Sequence, residues 1–210
     1  MFEVLKWVIG ISYLSIALEL LFFHVPSVAS TVNIWKPDNE LLSVYSERFQ
    51  SLFYLPKFQK ILLFVVPLLL IYGTFFFPIY YLWLQPMYQF DLLYYPSDFI
   101  RLFAMALIIL GRWFSFVSVL RIRKENQQKG SSFTLHTKSI FALTRNPIQV
   151  GMYIMLLGIW LCLPSLIFAV GILVYIAYIH FKILMEEDFL KNKYGMPYQQ
   201  YFLNTKRYLY

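Results

Sequence analysis

The feature that most constrains this chain is an apolar block from Ile148 to Phe181, broken only at Leu163-Pro164-Ser165. The block is much longer than the roughly 20 apolar residues that one membrane-crossing helix needs. Proline cannot continue a helix interior, because it has no backbone N–H and its ring clashes with the preceding turn. We therefore predict two short antiparallel membrane helices joined by a turn at Pro164.

Three further apolar stretches precede this block, namely Val4 to Phe23, Ile61 to Leu84 and Phe99 to Leu120. With 60% hydrophobic and only 14% charged residues in 210, the composition excludes an ordinary soluble domain. Glu19 interrupts the first stretch and no strongly basic leader precedes it, which favours a membrane helix over a cleaved signal peptide. The sequence predicts an all-α integral membrane protein with about five transmembrane helices.

The net charge of +7 lies mainly in the loops. Lysine and arginine cluster between the first two spans, after the third span and after the fifth, whereas residues 85–98 and the Pro164 turn have none. By the positive-inside rule, the basic loops and the C-terminus are cytoplasmic. This orientation suits a bacterial inner membrane or an endoplasmic reticulum, and the charge gives no reason to expect a nucleic-acid partner.

We divide the chain into residues 1–120, an N-terminal transmembrane region, residues 121–132, a polar cytoplasmic linker, and residues 133–210, a helical hairpin with a cytoplasmic tail. Within the first region a predicted interfacial helix lies beside the site entrance. Its apolar face comprises Leu41, Leu42, Tyr45, Phe49, Leu52 and Phe53. Cys162 is the only cysteine, so we predict no disulfide within the chain and no metal site.

Two polar motifs mark the predicted site. Arg145-Asn146-Pro147 starts the fourth span, where proline suits the first helical position and the helix N-terminus attracts anions. Glu186-Glu187 follows the fifth span, at a membrane edge where carboxylates are costly to place. Because the chain doubles back at Pro164, we expect Arg145 and Glu186 to be neighbours.

Two spacings give further expectations. Gly151 and Gly158, seven residues apart, share a helical face and are expected to let the fourth and fifth spans approach closely. Lys182 and Glu186 have the i, i+4 spacing of a helical ion pair. Intramembrane charges at Glu19, Arg101 and Arg112 form either a polar path or local pairs; we expect both arginines to snorkel and Glu19 to pair with a neighbouring helix.

The segment from Phe133 to Arg207 resembles the isoprenylcysteine carboxyl methyltransferases and the related phosphatidylethanolamine N-methyltransferases. The shared residues are Arg145-Asn146-Pro147, Gly151, Glu186-Glu187, Leu190, Tyr194-Gly195, Tyr198 and Tyr201. The resemblance implies S-adenosylmethionine as cofactor, bound on the cytoplasmic side. The implied cofactor-binding residues are Phe133, Thr134, Leu135, His136, Phe141, Asn146, Pro147, Glu186 and Glu187.

By the same resemblance, Lys182 is the substrate-binding residue and stands where the carboxyl methyltransferases have an arginine. Arg145 and Glu186 are the predicted catalytic residues, the first meeting a carboxylate and the second holding the cofactor or orienting the acceptor. Methyl transfer from a sulfonium needs alignment and exclusion of water rather than a covalent nucleophile. A lipophilic acceptor is expected to enter from the bilayer.

Several functions stay open. The first is methylation of a prenylated cysteine carboxylate, and the second is N-methylation of a phospholipid. From other classes, a sterol-reductase-like enzyme with a nicotinamide cofactor and a non-enzymatic scaffold or transport accessory remain. The expected partners are the bilayer and a membrane lipid or prenylated substrate, while the oligomeric state is undetermined.

Overall fold

The structure, a computed structural model, describes residues 2–22, 35, 39–84, 92–129 and 135–209. Every regular element within these ranges is helical, which confirms the predicted all-α class. Of the predicted cofactor-binding residues, Phe133 and Thr134 lie outside the described residues, and so do residues 85–91 of the second connecting loop.

Four of the described helices are long and apolar enough to cross a membrane. They are α1 (Phe2–Phe22), α4 (Lys57–Leu84), α5 (Asp98–Lys129) and α7 (Leu166–Tyr194). The shorter helices are α2 (Asn39–Ser43), α3 (Glu47–Phe53), α6 (Pro147–Cys162) and α8 (Met196–Asn204). At 1.5 Å per residue α6 is about 24 Å long, so five complete crossings remain a prediction.

The five longest helices form a closed ring. Helix α1 contacts α4 and α5, α5 also contacts α6, α6 contacts α7, and α7 returns to α4. The predicted hairpin is present, because α6 ends at Cys162 and α7 begins at Leu166 around Pro164. As a result, the start of α6 and the end of α7 lie at the same end of the ring.

The glycines of α6 face α5, so our expectation that they join the fourth and fifth spans is wrong. A Cβ at Gly151 would lie 2.5 Å from the carbonyl oxygen of Gly111, and one at Gly158 would lie 2.6 Å from that of Ala104. Glycine is needed at both places because the two backbones almost touch. The seven-residue spacing identifies a packing face but does not say which helix that face meets.

Helix α7 instead packs closely on α4. The Phe168 ring stacks on Phe77 with centroids 5.3 Å apart, and Phe75 meets Tyr175 edge to face at 5.3 Å. Aromatic pairs of this kind stabilise helix contacts beyond the area they bury. The hairpin partners also contact each other directly, because Tyr175 of α7 donates a hydrogen bond to Gln149 Oε1 of α6 at 3.0 Å.

Helix α5 does not end at Leu120 as its apolar stretch suggested, but continues to Lys129. Arg121 and Glu125 pair one turn apart at 3.0 Å, and lysine, glutamate and glutamine are good helix formers. Loss of apolar periodicity marks the end of the membrane contact, not of the helix. Much of the predicted polar linker is thus a helical extension beyond the bundle.

The predicted interfacial helix is two short helices, α2 and α3, separated at residues 44–46. Its apolar face packs within the protein, with Tyr45, Phe49 and other residues lying on Met185 and Phe189 of α7. The break arises where Ser46 N–H donates to Asp188 Oδ2 at 2.8 Å, because that amide is bound to α7 rather than to a preceding turn. The α2–α3 segment therefore covers the polar end of α7.

The charge at Glu19 is paired with a neighbouring helix, as expected. Arg112 Nη2 of α5 lies 2.7 Å from Glu19 Oε1, and Arg112 Nε also donates to Ser15 Oγ. Arg112 is buried and does not snorkel, because Glu19 and Ser15 of α1 bind its guanidinium inside the bundle. Arg101 lies one turn into α5 and pairs with Asp98 at 3.4 Å.

Candidate functional site

The N-terminus of α6 and the C-terminal end of α7 are joined through Arg145. Asn146 is the N-cap of α6 and Pro147 follows as the first helical residue, so the chain turns sharply there and Arg145 points back across the helix ends. The guanidinium of Arg145 donates to Glu187 Oε1 through Nε at 3.2 Å and through Nη2 at 2.9 Å. This ion pair is nearly fully buried.

The same guanidinium holds the C-terminal tail. Arg145 Nη1 donates to the carbonyl oxygen of Phe202 at 2.7 Å and also to that of Thr205, and the guanidinium lies 4.1 Å from the centroid of the Phe202 ring. Four of its five N–H donors are therefore engaged by protein groups. Arg145 is thus a cross-link between α6, α7 and the tail.

Arg207 binds the other side of the Glu187 carboxylate. Its Nε donates to Oε1 at 3.0 Å and its Nη2 to Oε2 at 2.6 Å. These hydrogen bonds raise the pKa of the Arg207 guanidinium above its usual value. We call the set Arg145, Glu187 and Arg207 the arginine clamp, because two guanidiniums grip one buried carboxylate from segments far apart in sequence.

Backbone contacts fix the tail beside the start of α6. Thr144 Oγ1 and Asn146 Nδ2 both donate to the carbonyl oxygen of Arg207, at 2.8 Å and 3.2 Å. Arg145 N–H donates to the carbonyl oxygen of Lys206 at 2.9 Å. The predicted cofactor-binding residue Asn146 therefore orients the tail in this structure.

The segment before α6 meets the tail at Phe141. Tyr201 OH donates to the carbonyl oxygen of Phe141 at 2.7 Å, within the 3₁₀ turn Ser139–Ala142. The ring of His136 lies 5.5 Å from that of Phe141, and His136 Nδ1 is 2.7 Å from Glu125 Oε2 of α5. Burial raises the pKa of the Tyr201 hydroxyl, so it stays a protonated donor.

A glycine permits the tail to turn back. Gly195 separates α7 from α8 with φ 57° and ψ −129°, a conformation that side chains strongly disfavour. A Cβ there would meet no atom within 4 Å, so the requirement comes from the backbone and not from packing. The turn directs Tyr198, which is almost completely buried, towards the clamp.

The acidic pair divides between two faces of α7. Glu187 contacts Arg145. Glu186 lies near Tyr45, and the pKa of the Tyr45 hydroxyl is raised first by burial and second by the negative charge of Glu186. We expected Arg145 and Glu186 to be neighbours, and the carboxylate that Arg145 contacts is that of the next residue, Glu187. Successive residues on a helix differ by about 100°, so the doublet alone cannot say which carboxylate faces the hairpin.

Among the described residues, no ion pair joins Lys182 to Glu186, although their spacing predicts one.

Some of the polar residues that the structure brings together were not predicted. Thr144, Thr205 and Arg207 lie in the arginine clamp or in contact with it. Arg207 stands near the end of the tail, where no periodic sequence pattern indicates a role for it. Between α6 and α7 lies a second polar and aromatic cluster, in which His180 Nδ1 is 2.9 Å from Tyr208 OH. Its other members are Gln149, Tyr153 and Tyr175. Placing these residues together required the hairpin and the tail contacts.

The fold and site define a helical membrane protein with a polar site built at one end of its bundle. Residues 99–197 match the family model of the phospholipid methyltransferases, a family of membrane methyltransferases, so this region of the chain is similar to that family. The match confirms the predicted resemblance. Searches of curated proteins and of solved structures gave no match.

The matched region begins earlier than expected, at Phe99 rather than Phe133, and so includes most of α5. This is consistent with the close packing of α5 on α6. The match ends at Pro197, before Tyr201, Thr205 and Arg207. The part of the tail that completes the clamp is therefore a feature of this chain that the family match does not include.

Proposed function

We propose that the protein transfers a methyl group from S-adenosylmethionine to a lipophilic acceptor. The family match over residues 99–197 supports methyl transfer and a lipid-like substrate. The observation that carries the cofactor assignment is the convergence of three segments, residues 135–146, the end of α7 and the tail, around the arginine clamp. These are the segments that the resemblance assigns to the cofactor.

The chemistry of the described residues fits this cofactor. The first turn of α6 presents backbone N–H groups and a positive dipole end, which suit a carboxylate. His136 and Phe141 present an imidazole and an aromatic face beside it. We propose Leu135, His136, Phe141, Asn146 and Pro147 as cofactor-binding residues, together with Phe133, Thr134 and Glu186. Bound S-adenosylmethionine supplies an electrophilic methyl group on a sulfonium.

Within this site Arg145 acts as a positioning residue. Four of its N–H groups already hold protein atoms, so its main effect is to keep the tail over the ends of α6 and α7. Glu187 has the same role, because both of its oxygens accept from guanidiniums. Glu186, on the neighbouring face of α7, is the carboxylate that we assign to the cofactor or acceptor.

The reaction requires no covalent enzyme intermediate. S-adenosylmethionine would supply a methyl group that passes directly to an acceptor lone pair, with sulfur keeping the electrons of the broken bond as a neutral thioether, so no residue of this chain would need to act as a nucleophile. A carboxylate acceptor releases no proton, whereas an ammonium acceptor must first lose one. The protein contributes alignment and exclusion of water.

We propose a prenylated cysteine carboxylate as the acceptor, with Lys182 binding its anionic group. The second candidate is the amine of a phospholipid, favoured by the description of the matched family. Lysine also favours this alternative, since it cannot reproduce the two parallel hydrogen bonds of an arginine with a carboxylate. The distribution of basic loops supports a cytoplasmic site and tail.

The test is transfer of radiolabelled methyl from S-adenosylmethionine by purified protein in nanodiscs. The acceptors are a farnesylated cysteine derivative and phosphatidylethanolamine. A carboxyl methyl ester releases its label in alkali, whereas an N-methyl group does not, so the product class is read directly. Transfer to neither acceptor, together with no calorimetric binding of the cofactor or its demethylated product, would refute the proposal and favour a reductase or an accessory role.

The same assay, applied to variants, distinguishes the roles of the Glu186 and Glu187 carboxylates. Glu186→Gln is expected to abolish cofactor binding or transfer while leaving thermal unfolding unchanged. Glu187→Gln is expected to reduce both binding and stability. Glu47→Gln, an exposed carboxylate at the same end of the bundle, serves as the matched control.

A further inference from the structure

A groove lies between α3 and α8 and crosses the polar end of α7. It encloses about 460 Å³. Its apolar walls include Phe49 of α3, Leu184 of α7 and Leu203 of α8. Helix α3 lies outside the region that matches the methyltransferase family, so one wall of the groove is built by a segment that the family match does not include.

The groove carries an excess of positive charge. Its charged lining residues are Arg48, Lys191, Glu187 and Asp188. Glu187 lies between two guanidiniums and contributes no free negative charge. Asp188 accepts a hydrogen bond from the backbone of Ser46 but keeps its negative charge, so Arg48 and Lys191 exceed it by one positive charge. In the described part of the chain neither Arg48 nor Lys191 forms an ion pair, so two cations remain available to an anion.

Exposed apolar side chains lie in the chain segments next to the groove walls, and one of them, Leu203, lines the groove itself. Tyr54 and Phe58, where α3 leads into α4, are 66% and 69% exposed, and Met196 and Leu203 of α8 are 64% and 82% exposed. Exposed aromatic and aliphatic residues at the end of a membrane bundle suit the headgroup level of a bilayer. The groove therefore has two basic lining residues, Arg48 and Lys191, and lies beside segments that carry exposed apolar side chains.

We propose that this groove binds an anionic membrane phospholipid. Its headgroup phosphate lies between Arg48 and Lys191, and one acyl chain follows the wall formed by Phe49, Leu184 and Leu203. The volume falls within the usual range of about 300–1,000 Å³ for small-molecule sites. The inference goes beyond methyl transfer and does not depend on it.

Occupancy is coupled to the arginine clamp through shared residues. Glu187 and Phe202 line the groove, and they are also the carboxylate and the ring that Arg145 contacts. A lipid in the groove packs against the outer side of the clamp, so the tail is held more firmly when the groove is filled. Binding to the folded state alone raises apparent stability by mass action.

The experiment titrates purified protein in detergent with phosphatidylglycerol or phosphatidylcholine and measures bound lipid by native mass spectrometry. We expect phosphatidylglycerol to bind more tightly, and the Arg48→Gln, Lys191→Gln double variant to lose about thirtyfold in affinity for it, at about 1 kcal/mol per basic residue. The control, Lys57→Gln with Lys193→Gln, removes the same charge at the same end and is expected to keep the affinity. Arg48→Lys keeps the charge and is expected to bind almost normally, which separates loss of the site from misfolding.

Three results would overturn the inference. Equal losses in the groove and control variants would indicate non-specific surface attraction, and equal affinity for both lipids would remove the anionic selectivity. Competition by S-adenosylmethionine or by inorganic phosphate alone would show that the groove binds a soluble ligand instead of a lipid. The proposed methyl transfer is tested separately by product formation, so the failure of one leaves the other intact.

Discussion

Arg207 and Glu187 form a two-point ion pair, with Nε 3.0 Å from Oε1 and Nη2 2.6 Å from Oε2. The contact fastens the last turns of the chain to the end of α7, twenty residues earlier. Because Arg145 grips the same carboxylate, Glu187 is the point at which the start of α6, the end of α7 and the tail are held together.

Removing the shared carboxylate charge should therefore loosen the tail. Glu187→Gln leaves the buried Arg145 guanidinium without its counter-ion, and breaking a buried pair in this way costs about 3 kcal/mol or more. We expect a lower unfolding temperature in detergent and faster proteolysis within residues 196–209. Glu47→Gln should change stability by no more than about 0.5 kcal/mol. Equal stability of the two variants would contradict the structural role of the clamp.

Gly195 is expected to be required only because of its backbone conformation. Gly195→Ala places a side chain at φ 57° and ψ −129°, which costs about 1–3 kcal/mol. The tail should detach before the bundle unfolds, so proteolysis near α8 should increase more than global unfolding. Gly73→Ala is the control, because that glycine lies within a helix and a Cβ there meets nothing within 4 Å. A comparable effect at Gly73 would argue against the conformational explanation.

The contact between α5 and α6 should tolerate no added methyl group. A Cβ at Gly158 would approach the carbonyl oxygen of Ala104 to 2.6 Å, so Gly158→Ala must push the helices apart at a cost of about 1–3 kcal/mol. Thermal unfolding and the distance between spin labels on α5 and α6 would report the change. An unchanged distance and unfolding temperature would show that the helices do not approach this closely.

Removing one charge of the ion pair between Glu19 and Arg112 should lower the stability of the protein, whereas removing both charges should not. Glu19→Gln leaves Arg112 buried without its counter-ion and should destabilise the protein by about 3–5 kcal/mol. Replacing both residues by leucine removes both charges, and such replacements are often neutral or stabilising. Unfolding measurements should thus show the double variant to be more stable than the single one. The opposite order would indicate that the pair has a function beyond its mutual neutralisation.

The sequence by itself determined the membrane class, the hairpin at Pro164 and the family resemblance. These follow from the length of apolar runs, the position of proline and the resemblance carried by Arg145-Asn146-Pro147 and Glu186-Glu187, all of which are properties of local order along the chain. The sequence also placed the apolar face of α2 and α3 correctly, because burial of Tyr45 and Phe49 follows their spacing.

Only the tertiary structure decided which partners these residues meet. The rotation of α7 chose Glu187 rather than Glu186 for Arg145, and the order of helices around the ring turned Gly151 and Gly158 towards α5. Arg207 joined the site through a contact across the fold. Helical periodicity defines faces of a single helix, but the neighbour of each face depends on how all the helices share their buried surface at once.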